Sequence, residues 1–230
     1  MLVADSLQQM HKENLPLHQT IIADILRYFF YLLYNRFAFL YDFVAYIVSL
    51  GTWNEWVLSI KPYLNGKKIL ELGHGTGILS ESLSFDGKNI TGIDQSPQMG
   101  KIAKSRCIRS GLNYNFITAV AQKLPFRTKS FDQVVSTFPS EYIIDTRTLH
   151  EISRILVDEG EMVLLPYAWI IGNEWYRRFL AWLFRITGQA PDWSSEFNNS
   201  FSLTGFDVRV KRIILEKSDL PLILATKNKN

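Results

Sequence analysis

The feature that most constrains the fold is a change of pattern after Gly66. From Lys68 onwards, short apolar and β-branched runs alternate with segments long enough to hold a helix. Such alternation is typical of parallel βαβ units, whose strands are buried on both faces. The runs cover residues 68–72, 89–93, 115–119, 131–136 and 161–165. The sequence therefore predicts an α/β fold built on a parallel sheet.

Two further strand-like runs, 206–215 and 220–226, lie near the end of the chain. The connection between them is too short for a parallel crossover, so we expect them to pair antiparallel. The prediction is a seven-stranded, Rossmann-like sheet whose last strand pair is antiparallel.

The sequence also predicts how the chain is divided. Apolar residues recur at helical spacing in 1–64, which indicates a helical N-terminal extension, and 65–230 forms the main domain. The aromatic, helix-like segment in 168–204 stands between the fifth and sixth strands. An insertion there lies near the mouth of such a sheet, so we predict a helical lid.

Composition narrows the classes of function. A net charge of +3 on 230 residues is too mild to indicate a nucleic-acid partner. Cys107 is the single cysteine, which excludes an intrachain disulfide and a cysteine-based zinc cluster. We predict no metal site.

The start of the chain bears on its location. Residues 1–17 lack the layout of a signal peptide, which predicts a cytoplasmic protein. Charges interrupt the apolar run at 21–50, and a charge at mid-bilayer costs at least ~2.5 kcal/mol, which argues against a membrane span. Two interpretations stay open for this run: helices packed over the core, or an amphipathic surface in peripheral contact with a membrane.

A glycine-rich turn, Gly73-His74-Gly75-Thr76-Gly77, follows the first strand directly. Glycines let the backbone turn sharply and approach a ligand, and the next helix presents free N–H groups there. Gly77 arrives one residue earlier than in the dinucleotide fingerprint, which disfavours NAD and FAD. Asp94 closes the second strand, where a carboxylate can accept hydrogen bonds from both ribose hydroxyls.

Four segments resemble the motifs of class I S-adenosylmethionine (SAM)-dependent methyltransferases. Residues 71–77 look like motif I, and 92–99 look like the G-x-D-x-S-x-x-M segment. Residues 121–132 resemble D-A-x-x-L-P-F…S-F-D, and 151–160 resemble E-x-x-R-V-L-x-P-G-G. The resemblance implies a methyltransferase with SAM as its cofactor.

The same resemblance implies a set of cofactor-binding residues. Gly73, His74 and Gly75 would lie under the methionine part of SAM, and Asp94 would hold the ribose. Whether the His74 side chain contacts the cofactor's carboxylate or fills space stays open. The remaining members are Glu71 and Gly77 at the turn, Gln95 and Met99 bordering the adenine, and Ala121 with Gln122 flanking it.

Val120 departs from the family pattern. The family often has an acidic residue at this position, which can accept a hydrogen bond from the adenine amino group, whereas this chain has valine. Adenine recognition must then depend on backbone groups, on Gln122 or on packing.

A second resemblance concerns the acceptor. Residues 37–42 and 49–56 resemble the A-x-x-Y-D…S-x-G-x-x-x-x-W lead-in of ubiquinone/menaquinone C-methyltransferases and related phospholipid methyltransferases. With the aromatic lid, it implies a pocket for a small or lipid-like apolar acceptor. The predicted wall consists of Tyr41, Phe138, Pro139, Tyr142, Trp169 and Trp175. Ordinary core packing is the alternative for each aromatic.

The segment after the fourth strand, Ser136-Thr137-Phe138-Pro139-Ser140-Glu141-Tyr142, narrows the chemistry. It is not the N/D-P-P-Y/F sequence of amino-methylating DNA enzymes, and it offers no Pro-Cys nucleophile, so nucleic-acid methylation is disfavoured. Glu141 or Tyr142 is the candidate base if the acceptor holds a proton until attack. The alternative is a SAM- or nucleoside-binding protein without methyl transfer; a third hypothesis, a nicotinamide-dependent oxidoreductase, is disfavoured by the Gly77 spacing.

Overall fold

The structure, a computed structural model, describes residues 40–171, 175, 201 and 204–229. Eight strands within these residues form one mixed sheet. In chain order they are β1 (Lys68–Leu72), β2 (Asn89–Asp94), β3 (Phe116–Thr118), β4 (Phe131–Thr137), β5 (Leu156–Leu165), β6 (Trp169–Ile170), β7 (Phe206–Leu215) and β8 (Ser218–Lys227).

Strands β1 to β5 are parallel to one another, in the spatial order β3-β2-β1-β4-β5. The chain order reverses at β1, which lies between β2 and β4. Open α/β sheets bind their ligands beyond the carboxyl ends of the strands at such a switch point. The crevice expected to bind a ligand therefore opens beyond Leu72 and Thr137, the last residues of β1 and β4.

Strand β8 lies between β5 and β7 and is antiparallel to both. The predicted antiparallel character of the last strand pair is confirmed. The structure adds an eighth strand to the seven predicted, because Trp169 and Ile170 pair with Asp219 and Ser218 of β8. The predicted helix-like segment therefore begins as a strand, which takes up the length of β8 that β5 leaves unpaired.

Strand β5 also begins earlier than predicted, at Leu156 rather than Glu161. Phe131 pairs with Leu156, but Gln133 already pairs with Glu161, so a bulge in β5 absorbs the extra residues. The apolar run alone gave no sign of this bulge.

The described helices flank the sheet. They are α1 (Tyr41–Val48), α2 (Trp53–Leu58), α3 (Ile78–Phe85), α4 (Pro97–Arg109) and α5 (Thr146–Ile155), with 3-10 turns at Lys61–Tyr63 and Glu141–Ile144. Residues 40–64 are thus largely helical, as the sequence predicts. Residues 1–39 and most of the predicted lid (172–174, 176–200 and 202–203) lie outside the described residues, so the domain boundary and the lid stay predictions.

Two apolar clusters cover the two faces of the sheet. Leu70 and Leu72 belong to the cluster that includes α5, whereas Ile69 belongs to the cluster that includes α2 and α3. This alternation follows from the two-residue period of a strand. On the second face, the buried Trp56 of α2 donates a hydrogen bond through its Nε1 to Ser218 Oγ, at 2.7 Å. That contact fixes α2 against the sheet. In the part of the chain that the structure describes, every helix is too short or too polar to cross a membrane.

Candidate functional site

The turn after β1 has the backbone conformation that its glycines permit. Gly73, Gly75 and Gly77 have φ values of 70°, 51° and 81°, in the region that L side chains rarely adopt. The Gly73 and His74 N–H groups both donate to the carbonyl of Ile93, at 2.8 and 3.1 Å. The turn is therefore anchored to the carboxyl end of β2.

Two of these glycines are required by close approaches of neighbouring side chains. A Cβ on residue 73 would lie 2.6 Å from the Tyr142 hydroxyl, and one on residue 77 would lie 2.7 Å from the Ala103 Cβ. Around Gly75, by contrast, a Cβ would meet nothing within 4 Å. Gly73 and Gly77 thus let neighbouring groups approach, and Gly75 borders open space.

Asp94 joins the turn to the start of α4. One carboxylate oxygen accepts from the Gly75 N–H at 3.0 Å, and the other accepts from the Ser96 N–H at 2.8 Å. The side chain is half-buried. Because an ionised carboxylate offers about four lone-pair positions, Asp94 can hold the turn and still accept from a ligand's hydroxyls.

Glu71, the last acidic residue before the turn, is buried and accepts a hydrogen bond from the Ser80 hydroxyl of α3. Burial above all, with a smaller contribution from the charge of nearby Asp94, raises the pKa of Glu71 to about 8. Glu71 therefore carries a proton at neutral pH. It joins the end of β1 to α3.

His74 is also buried, with its ring centroid 4.6 Å from that of Phe116. The absence of a side chain at Gly92 makes room for this pair, since a Cβ there would lie 2.7 Å from Phe116 and 3.0 Å from His74. Burial lowers the pKa of His74, so its imidazole is neutral. Its Nδ1 lies 2.8 Å from the Gly75 carbonyl. Of the two roles left open by the sequence, this environment favours filling space.

The residues predicted to border the adenine differ in accessibility. Gln95 is exposed and Ala121 is half-buried. Met99 is completely buried in α4, so a ligand could reach it only if side chains moved. Gln122 donates a hydrogen bond to Asp145 at 3.3 Å. The adenine contacts of these residues stay predictions.

On the other side of the turn, aromatic rings gather beyond β4. Phe138 has a φ of 50°, a conformation that is unusual for a bulky residue and concentrates at functional sites. Its ring centroid lies 4.6 Å from that of Trp53, and the Trp53 centroid lies 6.2 Å from that of Tyr41. Trp53 joins two of the predicted wall residues. Trp53 was not among the residues predicted for the wall, although it stands inside the lead-in motif. Tyr41, Trp53 and Phe138 are called the aromatic wall below.

Tyr142 lies where the turn and β4 meet. Its hydroxyl is 3.2 Å from Ser136 Oγ and donates to the Leu72 carbonyl at 3.3 Å, and Ser136 Oγ donates to the same carbonyl at 2.7 Å. Sequence reasoning did not single out Ser136, although it stands at the end of β4. The side chain of Glu141 lies outside what the structure describes.

The other predicted wall residues are spread more widely. Pro139 is buried next to Phe138. Trp169 lies on β6, with its ring 5.4 Å from that of Tyr167, and Trp175 is 74% exposed. Among the described residues, no cluster of three or more His, Cys, Asp or Glu side chains could hold a metal ion.

Known proteins resemble this chain in sequence and in fold. Residues 69–160 match the family model of a methyltransferase domain. A demethylmenaquinone methyltransferase of Thermotoga maritima is 34% identical over 139 residues, which cover 58% of this chain and 59% of that protein. The chloroplastic 2-methyl-6-phytyl-1,4-hydroquinone methyltransferase 1 of Oryza sativa subsp. japonica is 29% identical over 78% of this chain and 54% of that protein. The chain thus spans little more than half the length of these curated relatives.

The fold is shared with solved structures. A SAM-dependent methyltransferase of Thermotoga maritima, described as a possible histamine N-methyltransferase, superposes with a TM-score of 0.61 at 20% identity. The likeness covers 86% of this chain and 99% of that one. This agreement shows that the chain shares its fold with that protein.

Proposed function

We propose that this chain is a class I SAM-dependent methyltransferase, as the match of residues 69–160 to a methyltransferase domain supports, and that it transfers a methyl group to a small or lipid-like apolar acceptor. The observation that carries the proposal is the pairing of a polar turn and an aromatic wall at one switch point. The polar turn is held by Asp94, and the aromatic wall lies beyond β4. Leu72 ends the strand from which the turn starts, and its carbonyl accepts from Tyr142 and Ser136 on the other side.

The turn fits the cofactor. Open space next to Gly75 leaves the backbone accessible, and the half-buried Asp94 keeps lone pairs for ribose hydroxyls. The neutral His74 and the protonated Glu71 place no extra charge beside it. When bound, SAM supplies an electrophilic methyl group on a sulfonium. The contribution of this chain is to hold donor and acceptor in line, since a fixed geometry removes much of the barrier.

The aromatic wall fits a flat, apolar acceptor. Offset or tilted aromatic pairs are favourable beyond the apolar area that they bury, so the faces of Trp53 and Phe138 suit an aromatic ring. The two curated relatives are named for demethylmenaquinone and for a phytyl hydroquinone. We therefore propose a quinol-type acceptor for this chain.

Tyr142 is the proposed residue for orienting the acceptor or taking its proton. Its hydroxyl lies between the turn and the end of β4, where the methyl donor and the acceptor would meet. The neighbouring residue, Glu141, is the second candidate base.

Peripheral contact with a membrane is a second proposal, favoured by the outer face of α1 and by Leu50 just beyond its end. Phe43, Tyr46 and Ile47 stand at positions i, i+3 and i+4 of the helix and are 53–62% exposed, and Leu50 in the turn that follows is 56% exposed. An apolar stripe of this kind is typical of a helix that lies in the membrane interface. Flotation of the chain with anionic vesicles tests it. The Phe43→Ser/Ile47→Ser variant should float less than the wild type, and no flotation of either protein would dismiss the proposal.

Two measurements test the main proposal. Calorimetry with SAM, S-adenosylhomocysteine and NADH should give binding of the first two and none of the third. Radiolabelled methyl from SAM, supplied with a panel of hydroquinones and lipid extracts, should enter an apolar product. Binding without any transfer would favour the alternative of a SAM-binding protein without methyl transfer, and binding of NADH alone would overturn the assignment.

A further inference from the structure

The side chain of Asp42, near the start of α1, contacts the glycine-rich turn at the side chain of Thr76. Its Oδ1 accepts a hydrogen bond from the Thr76 hydroxyl at 2.6 Å. Its Oδ2 accepts from Arg106 Nη2 at 2.5 Å. Both oxygens of one carboxylate are thus engaged, one by the turn and one by α4.

Arg106 of α4 makes further contacts with the same group of residues. Asp42, Thr76, Glu81 and Arg106 are called the junction below. The Arg106 Nε donates to the Thr76 carbonyl at 2.9 Å, and its Nη1 lies 3.5 Å from Glu81 Oε2 of α3. The planar guanidinium, with its fixed fork of donors, therefore holds α1, the turn, α3 and α4 together. The Arg106 side chain is 22% exposed and that of Asp42 is 42% exposed, so the contribution of the network lies in its geometry, which several donors of one guanidinium fix.

The junction joins the two halves of the site. Thr76 stands between Gly75, whose N–H holds Asp94, and Gly77. Tyr41 stands next to Asp42 in the same helix turn and belongs to the aromatic wall. One residue of α1 is therefore anchored to the turn, and its neighbour touches the proposed acceptor surface.

We propose that Asp42 is a positioning residue that couples the SAM site to the acceptor site. By holding α1 against Thr76, it fixes the turn and places Tyr41 in the aromatic wall, so that ordering one site favours the other. This inference rests on the proposed function. Coupling of this kind is reciprocal for binding free energies, so the loss of Asp42 should weaken both ligands.

The test compares Asp42→Ala, Asp42→Asn and Thr76→Val with the wild type. The matched control is Glu55→Gln, which changes an exposed carboxylate on the neighbouring helix α2. We expect Asp42→Ala to raise both the Kd for S-adenosylhomocysteine and the KM for the acceptor by about 5- to 20-fold, within the usual range of coupling between sites. At saturation with both substrates, kcat should change by less than about threefold, because the junction does not touch the reacting atoms.

Asn keeps one acceptor oxygen, so Asp42→Asn should fall between wild type and Asp42→Ala, and Glu55→Gln should match the wild type. An unchanged Kd in both Asp42→Ala and Thr76→Val would overturn the proposal. A raised Kd for S-adenosylhomocysteine with an unchanged acceptor KM would also overturn it, because Asp42 would then stabilise only the glycine turn and not the acceptor site.

Amide hydrogen exchange gives a readout that needs neither ligand nor activity. In the coupled arrangement, Asp42→Ala speeds exchange in α1 and in residues 73–77 together. Faster exchange in α1 alone would overturn the coupling. If the wild type binds no S-adenosylhomocysteine, the proposed function fails, whereas the exchange result still decides whether Asp42 links α1 to the turn.

Discussion

The hydroxyl of Tyr142 occupies the space that a side chain on Gly73 would need, since a Cβ there would lie 2.6 Å from it. This contact links the turn, where the methyl donor is expected, to the residue proposed to act on the acceptor. Glycine at position 73 is therefore required for the place of the Tyr142 hydroxyl as well as for the backbone turn.

Gly73→Ala should lower activity and stability together. The φ of 70° costs an L residue about 1–2 kcal/mol, and the new methyl group forces the Tyr142 hydroxyl away from Ser136 and Leu72. We expect kcat to fall by at least tenfold and the free energy of unfolding to drop by about 1–2 kcal/mol, as measured by steady-state kinetics and urea titration.

Gly87→Ala is the matched control for this change. Its φ of 75° brings similar backbone strain, its Cβ meets open space, and it lies in the exposed turn between α3 and β2, outside the proposed site. A kcat of Gly87→Ala within about twofold of the wild type would assign the Gly73 effect to the site around Tyr142. An equal loss of kcat in both variants would assign it to backbone strain alone.

Asp94→Ala should weaken binding of S-adenosylhomocysteine by at least tenfold. The change removes the carboxylate that holds the N–H groups of Gly75 and Ser96, together with the acceptor expected for the ribose hydroxyls. Calorimetry measures the effect.

The control for Asp94→Ala is Asp132→Ala. Asp132 likewise accepts from two backbone N–H groups, those of Lys67 and Lys68, but at the opposite end of β1. The Asp132→Ala variant should have a lower free energy of unfolding and an unchanged Kd for S-adenosylhomocysteine. Equal Kd values for Asp94→Ala and the wild type would refute the role of Asp94.

Glu71→Gln should remove a pH dependence of stability. The pKa of Glu71 is raised to about 8 in the folded state, so the native protein retains a proton that the unfolded chain releases near its ordinary pKa. The sign follows from linkage: the contribution is fully present below about pH 4.5 and is lost as the pH rises through 8. Each pKa unit corresponds to about 1.4 kcal/mol, so the effect amounts to several kcal/mol at most.

Urea unfolding between pH 5 and 9 measures this difference. Relative to the wild type, Glu71→Gln should become progressively more stable as the pH rises. A difference between the two proteins that stays constant over this range would contradict a protonated Glu71.

Trp53→Leu should raise the acceptor KM while leaving the binding of S-adenosylhomocysteine unchanged. The Trp53 ring packs at a tilt against that of Phe138 in the aromatic wall, with the centroids 4.6 Å apart, and an aromatic pair contributes about 0.5–1.5 kcal/mol beyond area burial. The expected rise in KM is about 3- to 10-fold. Phe85→Leu, which changes an aromatic ring on α3 that is 79% exposed, serves as the control. An acceptor KM that does not change in Trp53→Leu would place the acceptor elsewhere.

The parts of the site that are local in sequence could be predicted. The glycine turn, Asp94 and the parallel strands follow from residues close together in the chain, because backbone conformation and strand burial are encoded locally. The structure places these elements as expected, and the antiparallel β8 agrees as well.

The parts that depend on distant contacts could not be predicted. Asp42 meets Thr76 and Arg106, 34 and 64 positions away, and Trp53 meets Phe138 across the face of the sheet. No local pattern distinguishes these residues from ordinary surface or core residues. Strand β6 escaped prediction for the same reason, since Trp169 becomes a strand residue only through its pairing with Asp219.

The place of β8 in the sheet has a consequence for how the chain reaches its native state. It is the last described strand in sequence, yet it lies between β5 and β7 and pairs with both. The open edge of β5 therefore stays unpaired during synthesis until residues 218–227 leave the ribosome. Unpaired strand edges recruit other chains, so the nascent chain is most prone to aggregation in that interval. A chain cut before Ser218 would stay in that state.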